Sequence, residues 1–412
     1  MDMTDNSNRK LPVGIQSFKK IREDNYLYVD KSDIIWKLVN SGKQYNYLSR
    51  PRRFGKSVLV DTLEAYLEGR KDLFDGLKIM QLEKEWKKHP VIRLDMSLAG
   101  STPQAITSYL NDAFHEYESM YGIKPLATAT LAVRFKRIII TASKKTGNKV
   151  AVLIDEYDSP LQHSWKTAEH KDCTDVYRDV FAVLKACDEY ERFVFITGIT
   201  KFTQISLFSV LNNLTNISFM SEYAPICGIT EEEIKENFSP ELNEMSKANN
   251  WSAQETHDML KNYYDGYHFS RRNMIDIYNP YSLINALSSH EISNYWAASG
   301  ATSLIPKFVD DIELRLKKFD HCFIMRNTLE LSDVSVGGAE LFLYQSGYIT
   351  IKESDEFGYI LGFPNEEVKQ ALYEIVLPAL AMRSESDIQS LQITFPETPQ
   401  RKSGLQATGI IR

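Results

Sequence analysis

A chain of 412 residues that is 43% hydrophobic, 11% aromatic and 25% charged holds enough apolar material for two or three cores, which excludes disorder along its whole length. Its 48 Lys and Arg against 55 Asp and Glu leave a formal charge of −7, so any attraction to nucleic acid or anionic lipid must be local. Four scattered cysteines, Cys173, Cys187, Cys227 and Cys322, form no C-x-x-C pair and read as buried thiols of a reducing compartment, with neither a zinc site nor a disulfide framework.

The start, Met1 to Lys10, is polar and lacks the apolar region of a secretory signal. No stretch approaches the roughly 18 apolar residues of a membrane span, so a cytoplasmic protein without membrane contact is expected. Tyr45 to Leu48 is the first of four apolar runs with strand character; the others are Val91 to Leu94, Val150 to Ile154 and Phe193 to Thr197. Between the first two, Val58 to Glu68 places Leu59, Leu63, Tyr66 and Leu67 on one helical face before Gly69 offers a stop. Strands alternating with helices predict an α/β fold, a parallel sheet with helices on both faces.

Ser49-Arg-Pro-Arg-Arg-Phe-Gly-Lys-Ser57 joins the first strand to that helix. Gly-Lys-Ser at such a turn is the end of a phosphate-binding loop, where free backbone N–H groups and the positive end of the helix dipole converge. Gly55 admits close approach of the backbone, Lys56 reaches phosphate oxygens, and the Ser57 hydroxyl is placed for Mg²⁺. The leading glycine of G-x-x-x-x-G-K-S is replaced by Arg50, and Pro51 fixes its own φ, so the first turn of the loop must differ from the usual one. Arg50, Arg52, Arg53 and Lys56 supply cations that can pair with phosphate. The alternative is a basic surface turn after an edge strand.

Val150-Ala-Val-Leu-Ile-Asp-Glu156 ends a strand in two carboxylates, a Walker B pattern. In a parallel sheet Asp155 emerges on the same edge as Ser57 and can hold Mg²⁺, while Glu156 orients or deprotonates an attacking water. Two motifs in this order predict a P-loop site for a nucleoside triphosphate. Thr197-Gly-Ile-Thr200-Lys201 ends the next strand; its hydroxyls, Thr197 first, can sense the γ-phosphate or simply cap the strand. Asp95 carries the same ambiguity and reads as structural.

Ala224 to Cys227 is expected as a fifth strand, ahead of a capping box at Thr230-Glu-Glu-Glu233. Beyond it the texture changes to aromatic and turn residues. Asp265-Gly266, inside Asn262-Tyr-Tyr-Asp-Gly-Tyr-His-Phe269, signals a hairpin turn. The aromatic cluster Tyr263, Tyr264, Tyr267, His268 and Phe269 reads as core packing, with base stacking as the alternative. Asn279-Pro280 fits a helix start. Tyr348 to Ile351 and Tyr359 to Phe363 flank a polar loop after Ala339 to Tyr344, a helix-plus-hairpin module resembling a winged helix. From Phe395 the periodicity is lost and a loose tail is expected. The domain division expected is 11–230 for the P-loop domain, 231–310 for a helical linker or lid, 311–385 for the helix-plus-hairpin region and 386–412 for the tail.

Leu11-Pro-Val-Gly14, Tyr28-Val-Asp-Lys31, Arg50-Pro-Arg-Arg-Phe-Gly-Lys-Ser57, Val152-Leu-Ile-Asp-Glu-Tyr-Asp158, Thr197-Gly198, Leu211-Asn-Asn213, Tyr264-Asp-Gly-Tyr-His-Phe269 and Pro364-Asn-Glu-Glu-Val368 together resemble the AAA-ATPase-like family. The resemblance runs from about Leu11 to beyond Val368. It implies an ATPase domain followed by a PD-(D/E)XK nuclease domain, and it makes Arg50 in place of glycine a family trait. The acidic residue and E-x-K of that nuclease are not found after Val368: Glu397-Thr-Pro399 lacks the lysine, and Glu85-Trp-Lys87 lies far from the expected place. The chain therefore reads as truncated relative to its relatives, with no nuclease activity expected.

The expected function is an ATP-binding, Mg²⁺-dependent ATPase that couples nucleotide state to its C-terminal region. Its expected catalytic residues are Glu156, Lys56 and Thr197. Nucleotide is expected on Arg50, Pro51, Arg52, Arg53, Phe54, Gly55, Lys56 and Ser57, and metal on Ser57 and Asp155. The alternatives are a nucleotide-gated module that binds DNA or a protein through the C-terminal region with little hydrolysis, and the ATPase partner of a nuclease.

Overall fold

The computed structural model describes residues 9–381 except 125, 127, 201–212, 273, 299–319 and 332–333. Its centre is a five-stranded parallel sheet: β1 Tyr45–Ser49, β2 Val91–Asp95, β3 Val150–Asp155, β4 Glu191–Gly198 and β5 Thr215–Asn216, in the order β2-β3-β4-β1-β5. The first four coincide with the four apolar runs. Strand β3 is buried along its whole length, as expected of a strand covered on both faces.

The strand order assigns the helices to faces. From β1 the chain crosses to β2 at the far edge, then returns through β3 and β4, so right-handed crossovers place helix Lys56–Leu67 on one face and the later helices on the other. In agreement, the helices Pro103–Met120, Leu131–Thr146 and His170–Ala186 pack on one another. The loops leaving β1 and β3 therefore turn to opposite faces and open a crevice at the carboxyl edge of the sheet.

The fifth strand is not Ala224 to Cys227. Ala224 to Ile226 belong to a short 3-10 helix, Ser221–Ile226, which Cys227 follows, and the outer position of the sheet is taken by the two-residue β5 beside β1. Ile229–Thr230 (β6) instead pairs antiparallel with Ile277–Tyr278 (β7). Thr230 then closes the expected capping box with Glu233 and starts helix Glu231–Asn237. A mainly helical region follows, with Ser239–Asn249, Ala253–Tyr264 and Pro280–Ser289 around a second core that includes Phe238, Leu260, Tyr264 and Leu283.

Asp265-Gly266 does not join two strands. It ends helix Ala253–Tyr264, and the antiparallel bridge follows at Tyr267 and Ile277, because Gly266 at φ +87° turns the chain so closely over Pro364 that a Cβ would lie 2.3 Å from its carbonyl oxygen. Asn279 does cap the helix at Pro280, its Oδ1 accepting from the N–H groups of Tyr281 and Ser282.

The helix-plus-hairpin segment forms helix Val334–Ser346, kinked at Gly338, followed by β9 Thr350–Ser354 and β10 Gly358–Gly362, with β8 Cys322–Met325 completing a three-stranded antiparallel sheet. Helix Glu366–Ala381 closes the described chain. The expected tail, 386–412, together with Lys201, Leu211 and Asn212, lies outside the described residues. Cys173, Cys187 and Cys227 are buried and Cys322 partly so, all as free thiols. Among the described residues no helix is long and apolar enough to cross a membrane.

At the amino end of β4 the fold buries an acid. Glu191 is 1% exposed; its Oε2 accepts from the Tyr45 hydroxyl at 2.7 Å, its Oε1 has no hydrogen-bond partner, and burial pushes its carboxyl up to about 8. Burial likewise pushes Glu367 up to about 7 and Asp265 to about 6. Between the ordinary value of about 4.3 and these raised values the folded chain holds protons that the unfolded chain has released, so stability falls as pH rises. Urea unfolding should therefore show stability declining from pH 5 to 8, and Glu191→Gln should remove on the order of 2 kcal/mol of that decline. An identical pH slope in the variant would contradict the assignment.

Candidate functional site

Helix Lys56–Leu67 begins without a side-chain cap. Gly55 at its N-cap takes φ +86°, a conformation open to glycine; no side chain caps the helix and no acidic residue lies in its first turn. A Cβ built on Gly55 meets no atom within 4 Å, so the backbone is approachable there. The positive end of the helix dipole is thus left for a ligand.

The helix start opens into a cleft of about 440 Å³. Arg52, Arg53, Phe54, Gly55, Lys56, Ser57 and Glu156 all line it, so the two motifs, about a hundred residues apart in sequence, form one wall. Lys56 is 4% exposed; its Nζ donates to the Pro51 carbonyl at 3.1 Å and lies 3.8 Å from Glu156 Oε1. Burial raises the Glu156 carboxyl above its ordinary range against the pull of Lys56. Glu156 itself takes φ +50°, a left-handed conformation uncommon for a residue other than glycine.

Asp155 and Thr197 do not themselves line the cleft. Asp155 is 2% exposed, and its Oδ1 accepts from both the Thr197 hydroxyl and the Glu156 N–H. Thr197 is fully buried, and its hydroxyl serves Asp155. Asp158, also fully buried, braces the exits of β3 and β4 by accepting from Gln162 Nε2, the Thr200 hydroxyl and the backbone N–H groups of Ile199 and Thr200. Asp95, by contrast, caps the turn after β2 by accepting from the Ser97 N–H.

Arg50 is the clearest departure from the phosphate-pairing expectation. It is 1% exposed and turned away from the cleft, donating to the carbonyls of Ser49, Ser218, Tyr223 and Ala224 with its guanidinium 4.1 Å from the centre of the Phe269 ring. Burial lowers it to about 10. The cation-rich loop therefore splits: Arg50 holds the fold together, while Arg53, exposed and at φ +66°, rests over the Tyr281 ring at the cleft. Pro51 does not line the cleft either. Phe54 anchors the loop edge-on to Tyr267 and Phe269, so that part of the aromatic cluster is core. His268 is spent on Asp276 and the Ile351 carbonyl.

Several cleft residues carried no role in the sequence reading. Pro12, Gly14, Ile15 and Gln16, with Leu27 to Val29, Ile226 to Ile229 and Tyr281, form its mainly apolar side, and Lys31 joins them while its Nζ is clamped by both oxygens of Glu233 at 2.5 Å. Their signal was the motif text at Leu11-Pro-Val-Gly14 and Tyr28-Val-Asp-Lys31, whose spacing alone implies no chemistry. Cys227 also lines this cleft, its thiol pushed up by burial.

The sequence model of the AAA-ATPase-like family, described as Predicted AAA-ATPase, matches residues 12–208. An uncharacterized protein in the vnfD 5′ region of Azotobacter chroococcum mcd 1 is 34% identical over 411 residues, covering 95% of this chain and 76% of that protein. Among solved structures, the ORC2 protein of Aeropyrum pernix, in ADPNP and ADP complexes, matches at 12% identity and TM-score 0.35, over 88% of this chain and 98% of its own. The ORC1 protein of the same organism, solved with DNA, gives 11% and 0.30 with the same coverages, and Cdc6p of Pyrobaculum aerophilum 10% and 0.29 over 86% and 97%.

The split between the arginines is measurable by thermal and urea unfolding. Arg50→Ala strands buried carbonyls and should cost about 3 kcal/mol of stability, whereas Arg53→Ala should stay within about 1 kcal/mol. Equal stability of the two variants would contradict the assigned orientations.

Proposed function

Because this chain belongs to the AAA-ATPase-like family, we propose that it binds ATP in this cleft and hydrolyses it with Mg²⁺, coupling nucleotide state to its C-terminal region. The observation that carries the reading is the meeting of an uncapped helix start with Glu156 across Lys56 inside one cleft.

The residues present fit a magnesium-bound triphosphate. Lys56, Arg52 and Arg53 supply positive charge, and the backbone at Gly55 is open to a phosphate. Ser57 and Asp155 would hold the ion, Asp155 through water because it does not line the cleft. Bound there, Mg²⁺ would neutralise phosphate charge. Lys56 leaves the Pro51 carbonyl and Glu156 when phosphate arrives, because a dianionic oxygen outcompetes a carbonyl for a buried ammonium. Released from Lys56, Glu156 becomes the acceptor that aligns the attacking water, and its burial keeps its basicity above that of an exposed carboxylate. Thr197 fixes the Asp155 carboxylate rather than touching the substrate. The apolar side of the cleft, from Ile15 to Tyr281, takes the base and ribose.

One observation favours a second reading, a nucleotide-gated binding module with little turnover: Lys56 already neutralises Glu156 at 3.8 Å, and a base kept in that pair does not accept a proton. Phosphate release and calorimetry separate the two. As an ATPase, the chain should bind ATP and turn it over; Glu156→Gln should retain ATP and lose about 10²- to 10⁴-fold in kcat, and Lys56→Ala should bind at least about tenfold more weakly. Tight binding with turnover no faster than in buffer selects the module, and an unchanged rate in Glu156→Gln removes that residue from the reaction.

A further inference from the structure

Three stretches remain without a role in the cleft: the motifs Tyr264-Asp-Gly-Tyr-His-Phe269 and Pro364-Asn-Glu-Glu-Val368, and the segment around Trp296. All three converge on the back of the phosphate loop. The Trp296 indole N–H donates to the Arg52 carbonyl at 3.2 Å, and its ring meets Tyr348 edge-on at 4.8 Å. The Trp296 backbone N–H donates at 2.8 Å to Glu367 Oε1, which also accepts from the Ser282 hydroxyl at 3.1 Å. Glu367 is fully buried and belongs to the first turn of helix Glu366–Ala381. Gly347 sits so close to the loop that a Cβ would come within 2.5 Å of Pro51, and the Tyr267 hydroxyl donates to the Gly347 carbonyl at 3.1 Å.

The geometry of a peptide unit turns these contacts into a statement about the loop. A trans peptide is planar, with C=O and N–H pointing in opposite directions, so holding a carbonyl aims the N–H of the next residue. Two loop carbonyls are held from outside the loop: Arg52 by Trp296 and Phe54 by the Gly228 N–H at 3.2 Å. The N–H groups aimed in return are those of Arg53 and Gly55. The usual leading glycine is absent, and anchors from outside the loop take over the shaping of its first turn.

We propose that Trp296 is a positioning residue for the phosphate loop and the strut through which nucleotide occupancy is passed, by way of Glu367, to helix Glu366–Ala381. This rests on the nucleotide reading of the cleft. When phosphate engages the Arg53 N–H, the peptide plane it shares with the Arg52 carbonyl is fixed, and Trp296, bonded to that carbonyl, is fixed with it. Because Trp296 is 5% exposed and Glu367 fully buried and bonded to its N–H, the restraint passes to the helix that carries Glu367.

The test is calorimetry with ADP on the full chain, together with amide exchange of residues 366–381 with and without ADP, on the wild type, Trp296→Phe and Glu367→Gln. Phe retains a ring against Tyr348 and removes the donor to Arg52; Gln retains an acceptor for the Trp296 N–H. In the wild type ADP should slow exchange across the helix by about tenfold. Trp296→Phe should bind ADP about tenfold more weakly and, at saturation, leave that exchange unchanged, whereas Glu367→Gln should respond as the wild type does. Wild-type affinity and response in Trp296→Phe overturn the strut. So does ADP binding to the wild type with no change in the helix, which keeps the claim open to refutation even when a variant fails to fold. Absence of ADP binding to the wild type refutes the nucleotide reading and the strut with it, and calorimetry registers that outcome separately.

Discussion

Parallel pairing of β1 with β4, and of β4 with β3, is the constraint on which everything else in this molecule depends. Ser49 aligns with Gly198, Leu48 with Thr197 and Ile154 with Ile196, so the chain leaves β1 as the phosphate loop at the same edge where β3 delivers Asp155 and Glu156. A slip of one residue would reverse the faces of every side chain at that edge and separate Thr197 from Asp155. The interior between the motifs is apolar, with Val152, Leu153, Ile154, Phe195 and Ile196 fully buried, and such strands are held in register by packing on both sides.

The second feature is a loop shaped from outside. Replacing a leading glycine with Arg50 loses conformational freedom, and the structure answers with contacts: the guanidinium satisfies the carbonyls of Ser218, Tyr223 and Ala224, Phe54 packs edge-on to Tyr267 and Phe269, and Gly347 admits Pro51 at close range. Residues from the helical region and from the segment around β9 thus complete a loop that begins in the parallel sheet. The proposed phosphate site is thereby packed, at the back of the loop, against residues from the rest of the chain.

Local pattern made much of this legible. Four hydrophobic runs fall on β1 to β4, the amphipathic stretch from Val58 falls on helix Lys56–Leu67, and the polar residues of Thr230 and Asn279 cap helices as their spacing demands. Partners distant in sequence set the rest. Strand β5 has two residues, Thr215 and Asn216, too few for any periodicity, and its place beside β1 is decided by pairing alone. Arg50 reads as a phosphate ligand until the carbonyls of Ser218 and Tyr223 are in place to claim it. Asp265-Gly266 carries a hairpin signal, but the close approach of Pro364 makes it a helix exit. Composition is silent about the apolar half of the cleft because its walls come from four separate stretches of chain.

The central claim is that phosphate, held at the start of helix Lys56–Leu67, anchors the ligand. Affinity measured across AMP, ADP and ATP at fixed magnesium tests it most directly. The account predicts a steep rise with phosphate number, on the order of tenfold or more from AMP to ADP. Equal affinity for all three would show that the base alone is recognised and that the helix start, Lys56 and the edge of the sheet do not form a phosphate site.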